Sequence, residues 1–364
     1  MASSARSMST VTSVIREDAH LAAAGLGEAS GALAGTTVLV TGACGFLGSY
    51  LLDVLAALSR EGGLRPCHVL AVDNFQVGLS ERVEHLRDDP HVEFVTHDVT
   101  RPLALERRVD WIIHAASIAS PTFYRRFPLE TIDVNVNGTW QMLELARRGA
   151  RGMLCLSSSE IYGDPTPDAI PTPETYRGNV SCTGPRACYD ESKRLGETLC
   201  WIYFRRHGTP VKVVRPFNVY GPGQRLDDRR IIPDLMAAAL AHQPLVLLSD
   251  GRATRSFCYV RDAVRAMLLV LCSDAQGEVF NVGNDEEVSI GALAELMADV
   301  AAPPRLVVEH RASADRDYIA DSPQRRCPDV AKLRVRTGWR PEVGLADGLR
   351  RTLASYREAS AGRA

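Results

Sequence analysis

With 364 residues, 45% of them apolar and 24% charged, the chain can bury a sizeable core and has the composition of a soluble globular protein. A net charge of −2 supplies no basic field for nucleic acid or an anionic membrane, and no apolar run reaches the roughly 18 to 20 residues of a membrane span. Nine cysteines without C-x-x-C or zinc spacing point to reduced thiols in a cytoplasmic protein, and the histidines lack the pairing of a metal site.

The first segment, residues 1–34, is rich in Ala, Ser and Gly, while Arg16, Glu17, Asp18 and His20 interrupt any signal-peptide core. It reads as a flexible extension with a helical turn or two. From residue 35 apolar, β-rich runs recur as "TTVLVTG" (36–42), "CHVLAVD" (67–73), "VEFVTHDV" (92–99), "VDWIIHAAS" (109–117), "GMLCLSSS" (152–159) and "VKVVRPFNV" (211–219). Helical patterns fall between most of them, at 46–60, 129–148 and 189–206. Near-continuous apolar strands separated by amphipathic helices predict an α/β fold, a Rossmann-type doubly wound parallel sheet spanning 35–220. Beyond 220 the alternation lapses, so 221–358 reads as a smaller mixed domain for substrate, and 359–364 as a tail.

The first strand runs into "TGACGFLG", with Gly42, Gly45 and Gly48 spaced G-x-x-G-x-x-G. A glycine turn entering a helix lets backbone amides approach a pyrophosphate, with Phe46 and Leu47 opening the helix. The second strand ends in Asp73 and Asn74. A carboxylate there accepts hydrogen bonds from both hydroxyls of an adenosine ribose and repels a 2′-phosphate, which favours NAD over NADP.

Further along, "YDESK" sets Tyr189 and Lys193 one helical turn apart on one face. An ammonium near a phenol favours phenolate, turning a group of ordinary pKa about 10 into a base nearer neutrality. The pair lies one strand beyond "LSSSEIYG", residues 156–163, whose serines and Glu160 follow a buried strand.

Together, "TGACGFLG", "AVDN", "HDV", "HAAS", "SSSEIYG" and "YDESK" resemble the extended short-chain dehydrogenases/reductases, the NAD-dependent epimerase/dehydratase family, over about residues 36–355. The resemblance implies that Tyr189 takes a proton from a sugar hydroxyl, that Lys193 tunes it and holds the nicotinamide ribose, and that Ser158 or Ser159 bonds the same hydroxyl. It places Asp98 and Val99 at the adenine and Ala115 and Ala116 along the cofactor, with Ser117, Tyr124, Arg186 and Asn218 near the substrate. His114 reads as a strand-end packing residue.

Family members oxidise a nucleotide sugar at C4 and then diverge. A 4-epimerase needs no second acid or base, whereas a 4,6-dehydratase uses an Asp-Glu pair to expel the C6 hydroxyl. Here Ser159 precedes Glu160, so the acid for that expulsion is lacking. Decarboxylation of a 4-keto uronate needs no proton on its leaving group. The stretches "SSSEIYG", "GPRACYDESKR" (184–194) and "SPQRRCPDVAKLRVRTGWRP" (322–341) are similar to those of UDP-glucuronate decarboxylases, also called UDP-xylose synthases. That resemblance assigns a catalytic arginine to Arg326, with Arg325 as the alternative, and nucleotide-side arginines to Arg255 and Arg230.

Three loops depart from the decarboxylase pattern. "SPASPPNY" stands as "SIASPTFY" (117–124), putting Ile118, Thr122 and Phe123 in place of Pro and a Pro-Asn pair; "NPIGPR" is "SCTGPR" (181–186); and Gly223 replaces an arginine. The expectation is an NAD-dependent UDP-glucuronate decarboxylase, with a uronate 4-epimerase, a 4,6-dehydratase and a non-catalytic NAD sensor as alternatives. By resemblance it forms a homodimer through helices 129–148 and 189–206.

Overall fold

The computed structural model describes residues 11–61, 65–311 and 323–361. Six strands follow in chain order: β1 (Thr37–Thr41), β2 (His68–Asp73), β3 (Val92–Thr96), β4 (Trp111–His114), β5 (Gly152–Leu156) and β6 (Val211–Pro216). After them come β7 (Val219–Tyr220), β8 (Leu245–Leu247), β9 (Thr254–Ser256), β10 (Cys258–Tyr259), β11 (Val279–Val282), β12 (Glu287–Ser289), β13 (Val308–His310) and β14 (Arg325–Arg326). The main sheet is parallel throughout, in the order β11-β6-β5-β4-β1-β2-β3. Every residue of β4 and β5 is buried, as a sheet covered on both faces requires.

The helices are α1 (Ser13–Ala24), α2 (Phe46–Glu61), α3 (Pro121–Arg126), α4 (Pro128–Asp133), α5 (Thr139–Arg147), α6 (Ala187–His207), α7 (Ile231–Leu240), α8 (Val260–Cys272), α9 (Ile290–Ala301), α10 (Ala331–Thr337) and α11 (Leu345–Ala361). The 129–148 pattern, expected as one helix, is divided. Residues Val134–Gly138 form a π-helical turn between α4 and α5. There the Asn135 amide accepts from Ser117 Oγ at 2.7 Å and donates to Ser192 Oγ at 2.9 Å. One widened turn thus aims a buried polar side chain at the site below.

Helix α6 carries Tyr189 and Lys193, and its buried face includes Ser192, Gly196, Cys200 and Tyr203. A β-carbon at Gly196 would stand 3.2 Å from the Asn135 carbonyl oxygen, so the glycine allows α6 to lie close against the π turn. The helix ends in Gly208 at φ 66°, its N–H capping carbonyls of the last turn, and Arg205, Arg206 and His207 face the negative end of the dipole.

Two features differ from the sequence expectation. The N-terminal segment is not a loose extension from residue 11 onward: α1 packs against α2, α8 and α11, burying Ile15, Ala19, Ala22, Ala23 and Leu26. Asp18, fully buried, accepts from Tyr259 Oη at 2.5 Å and from Arg351 Nη2 at 2.7 Å. Alanine-rich stretches resemble linkers in composition, yet small residues are what a helix needs to pack closely on three others. The first ten residues and 362–364 of the expected tail lie outside the described residues, whereas 359–361 continue α11. Nor does the chain divide cleanly at 220, because β11 returns to complete the main sheet beside β6, and α8 covers β5, β6 and β11.

Ile15→Ala is expected to lower stability by about 2 to 4 kcal/mol, measured by urea unfolding. A loose tail would tolerate the change within roughly 0.5 kcal/mol.

Candidate active site

The carboxyl ends of the central strands open into a cavity of about 1430 Å³. That exceeds the roughly 300 to 1,000 Å³ typical of one small-molecule site and suits a dinucleotide beside a second ligand. All the candidate residues from Gly42 to Arg326 line it; Arg325 does not.

On the β1 side the glycine turn is built for close backbone approach. Gly42 has φ 66°, and a β-carbon there would lie 2.7 Å from the Ala116 backbone; one at Gly48 would collide with the Gly42 carbonyl oxygen at 2.0 Å. Asp73 accepts the Cys44 N–H on one carboxylate oxygen and the Phe75 N–H on the other, both at 2.8 Å. Each oxygen retains a lone pair for a ribose hydroxyl. Gly45, Phe46 and Leu47 complete the turn, and Asn74, Asp98, Val99, Ala115 and Ala116 continue the wall. These groups fit NAD. Behind them, His114 is buried with Nδ1 2.8 Å from Thr41 Oγ1, and burial pushes its pKa down to about 3, which keeps the ring neutral.

On the β5 side, Tyr189 is buried, stacked on Tyr124 with ring centroids 5.3 Å apart, and in hydrogen-bond contact with the Ser158 side chain. Lys193 donates to the Leu156 carbonyl at 2.8 Å, its Nζ 5.8 Å from the Tyr189 ring centroid. Burial pushes Tyr189 up to about 12 and Lys193 down to about 8. Desolvation penalises both charged forms, and the ammonium is spent on a carbonyl.

Glu160 sits on the one-turn helix Ser159–Tyr162, capped by Ser158 Oγ accepting the Glu160 N–H at 3.2 Å. Both Nη atoms of Arg326 donate to its carboxylate, one of them at 2.6 Å, and Arg186 donates to it as well. Those guanidiniums outweigh burial and hold Glu160 far below the usual carboxylate range. Arg186, expected at the substrate, thus serves Glu160, with Asp190 3.8 Å from its Nε. Parallel pairing of β14 with β9 sets Arg326 beside Arg255. Burial and the neighbouring Arg326 push Arg255 down to about 10. Arg325 points the other way, to Glu287 at 2.7 Å, so the alternation of a strand separates the two candidates.

Ser159 is buried on the cavity wall. Ser117 and Asn218 are turned to neighbours, Asn218 donating to the Ser256 carbonyl at 3.0 Å. Arg230 pairs with Asp228 on the cavity wall. The Tyr124 hydroxyl is buried with no protein partner, an orphan that a ligand hydroxyl can satisfy. Asn135 was missed in the sequence; its only signal was a polar "NVNG" within an otherwise helical stretch.

Residues 38–283 match the model of the NAD dependent epimerase/dehydratase family. The chain is 40% identical over 320 residues to UDP-glucuronic acid decarboxylase 1 of Arabidopsis thaliana, covering 88% of this chain and 69% of that protein. It is 39% identical over 321 residues to UDP-glucuronic acid decarboxylase 1 of Xenopus tropicalis, covering 88% and 72%. Among solved structures, dTDP-glucose 4,6-dehydratase of Streptomyces venezuelae with NAD bound superposes with TM-score 0.77 at 28% identity, covering 88% of this chain and 97% of that one. UDP-glucuronic acid 4-epimerase of Bacillus cereus, in complex with UDP-glucuronic acid and NAD, gives 0.72 at 26%, covering 88% and 99%.

With its amine held near 8 against an ordinary 10.5, folded Lys193 carries fewer protons than the unfolded chain between those values. The cost of burying its charge is fully present below about pH 8 and fades as pH rises toward 10.5, so stability rises across that window. Relative to Lys193→Met, the wild type is expected to gain on the order of 3 kcal/mol between pH 7 and 10.5, read from urea midpoints of both proteins.

Proposed function

We propose that this chain, which belongs to the NAD dependent epimerase/dehydratase family, decarboxylates UDP-glucuronate to UDP-xylose through a 4-keto intermediate. The observation that carries this reading is Glu160 clasped by Arg326 beside Tyr189, with Ser159 where a dehydratase needs an acid.

NAD, when bound, supplies the acceptor that takes a hydride from sugar C4 and later gives it back, so no net redox change results. Tyr189 removes the C4 hydroxyl proton, with Ser158 sharing the hydrogen bond and Tyr124 stacked beneath the ring. Oxidation leaves the C6 carboxylate β to a ketone; the C5–C6 bond breaks without a proton for its leaving group, and the C5 enolate that remains takes up a proton before the hydride returns to C4. Arg326 and Arg255 attract the substrate carboxylate and diphosphate, because a crowded pair of guanidiniums gains most from an anion. Glu160, kept ionised by two arginines, orients Arg326 rather than donating a proton. Ser117, Asn218, Arg230 and Arg186 complete the substrate side on this reading.

Incubation with UDP-glucuronate and NAD is expected to yield carbon dioxide and a UDP-pentose. UDP-galacturonate without gas would move the assignment to 4-epimerisation, and a 4-keto-6-deoxy sugar to dehydration; NAD binding with no turnover at all would favour a sensor. Tyr189→Phe is expected to lower kcat by about 10² to 10⁴ with NAD binding retained.

We also infer a homodimer. Leu129, Ile132 and Trp140 on α4 and α5, and Leu195, Trp201 and Ile202 on α6, leave large apolar side chains in water, Trp201 at 60% exposure. Two copies pairing these helices form a four-helix contact. Trp201→Glu is expected to shift the protein to monomer in sedimentation equilibrium. No helix among the described residues is long and apolar enough to cross a membrane; nine thiols, none in a disulfide, suit the reducing cytoplasm.

A further inference from the structure

Three loops that leave the main sheet at separate places meet above the cavity. Val77 follows β2, Phe123 lies on α3 after β4, and Arg225 follows β6 and β7. In the sheet order, β2 and β6 stand four places apart with β1, β4 and β5 between them. At about 4.8 Å per strand their ends are roughly 19 Å apart. Yet Arg225 Nη1 reaches the Val77 carbonyl at 3.5 Å, so this contact spans the carboxyl ends of the intervening strands, where the glycine turn and Tyr189 face the same cavity.

The span is braced. The Arg225 guanidinium lies 5.1 Å from the centroid of the Phe123 ring. Asp227 fixes its plane by accepting from Nε at 2.9 Å and Nη2 at 2.7 Å. Ser120 Oγ and Thr122 Oγ1 both donate to the Asp228 carbonyl at 3.4 Å, tying α3 to the segment that carries Arg225.

We propose that Arg225, stacked on Phe123 and reaching the Val77 carbonyl, is a positioning residue that straps NAD into its cleft for the whole of a turnover. A reaction that removes a hydride and returns it fails if the cofactor leaves while reduced, and the released sugar would then be a 4-keto product. The inference rests on the reading of an internally recycled NAD, but the strap is a property of cofactor release and is measurable without any sugar.

The test loads the full-length protein with NAD and follows dissociation by displacement with a fluorescent etheno analogue. Arg225→Ala and Phe123→Ala are each expected to speed release roughly three- to thirtyfold, the loss of one partly desolvated cation–π contact. The double variant should be little faster than either single one, because both remove the same contact. Phe123→Tyr, which keeps the ring face, should release NAD at the wild-type rate. Should Phe123→Ala fail to fold, as judged by circular dichroism, Phe123→Leu takes its place with the same expectation. Wild-type release rates in Arg225→Ala, or effects that multiply in the double variant, would overturn the strap. Faster release in a protein that evolves no carbon dioxide from UDP-glucuronate would keep the strap and count only against decarboxylation.

Discussion

A carboxylate taken out of water must be met by cations, and the site is organised around Glu160 meeting two. Its partners come from distant parts of the chain: Arg186 opens α6, while Arg326 lies on β14 far toward the C-terminus. Without both partners the buried carboxylate would be uncompensated, a loss of about 3 to 5 kcal/mol. The pair therefore joins the end of β5, the start of α6 and the β9–β14 ladder into one rigid corner. Tyr189 and Lys193 take their places from that corner, being one and two turns along the helix that Arg186 begins.

The same corner explains why an anion belongs there. Burial and the neighbouring guanidiniums of Arg326 and Arg186 make Arg255 costly to keep charged, and it bears that cost as a depressed pKa. A uronate linked to a diphosphate brings the missing negative charge, so binding relieves a repulsion already present in the protein. Electrostatic complementarity of this sort selects acidic sugars over neutral ones before any chemistry begins.

Much of the fold was legible because the buried strands are largely apolar runs, and several are followed by a glycine, serine or acidic residue at the carboxyl end. Gly42, Asp73 and Ser157 mark strand ends in sequence and line the cleft in space. Three things were hidden. The α1 helix escapes pattern reading because its buried face is mostly alanine and its one decisive polar group, Asp18, looks like a surface charge until Tyr259 and Arg351 arrive from residues far away. The π turn at Asn135 is invisible because a single extra residue in a turn does not disturb the 129–148 periodicity enough to show. The contact of Arg186 with Glu160 depends on the fold of the "SSSEIYG" turn, which no spacing rule describes.

Tyr189 and Lys193 show where reading a motif as chemistry meets its physical limit. The four-residue spacing does set both on one face of α6, but burial raises one pKa and lowers the other, toward a neutral phenol beside a weakly basic amine. Such a pair gains reactivity only when its surroundings change, because the carbonyl of Leu156 and the oxygen of Ser158 already satisfy both groups. The polar surfaces of ligands bring that change. On the proposed reading, a sugar hydroxyl would meet Ser158 and Tyr189, and a ribose hydroxyl would offer the Lys193 amine an alternative to Leu156. The motif therefore specifies the position of the base, while occupancy of the cleft specifies its strength.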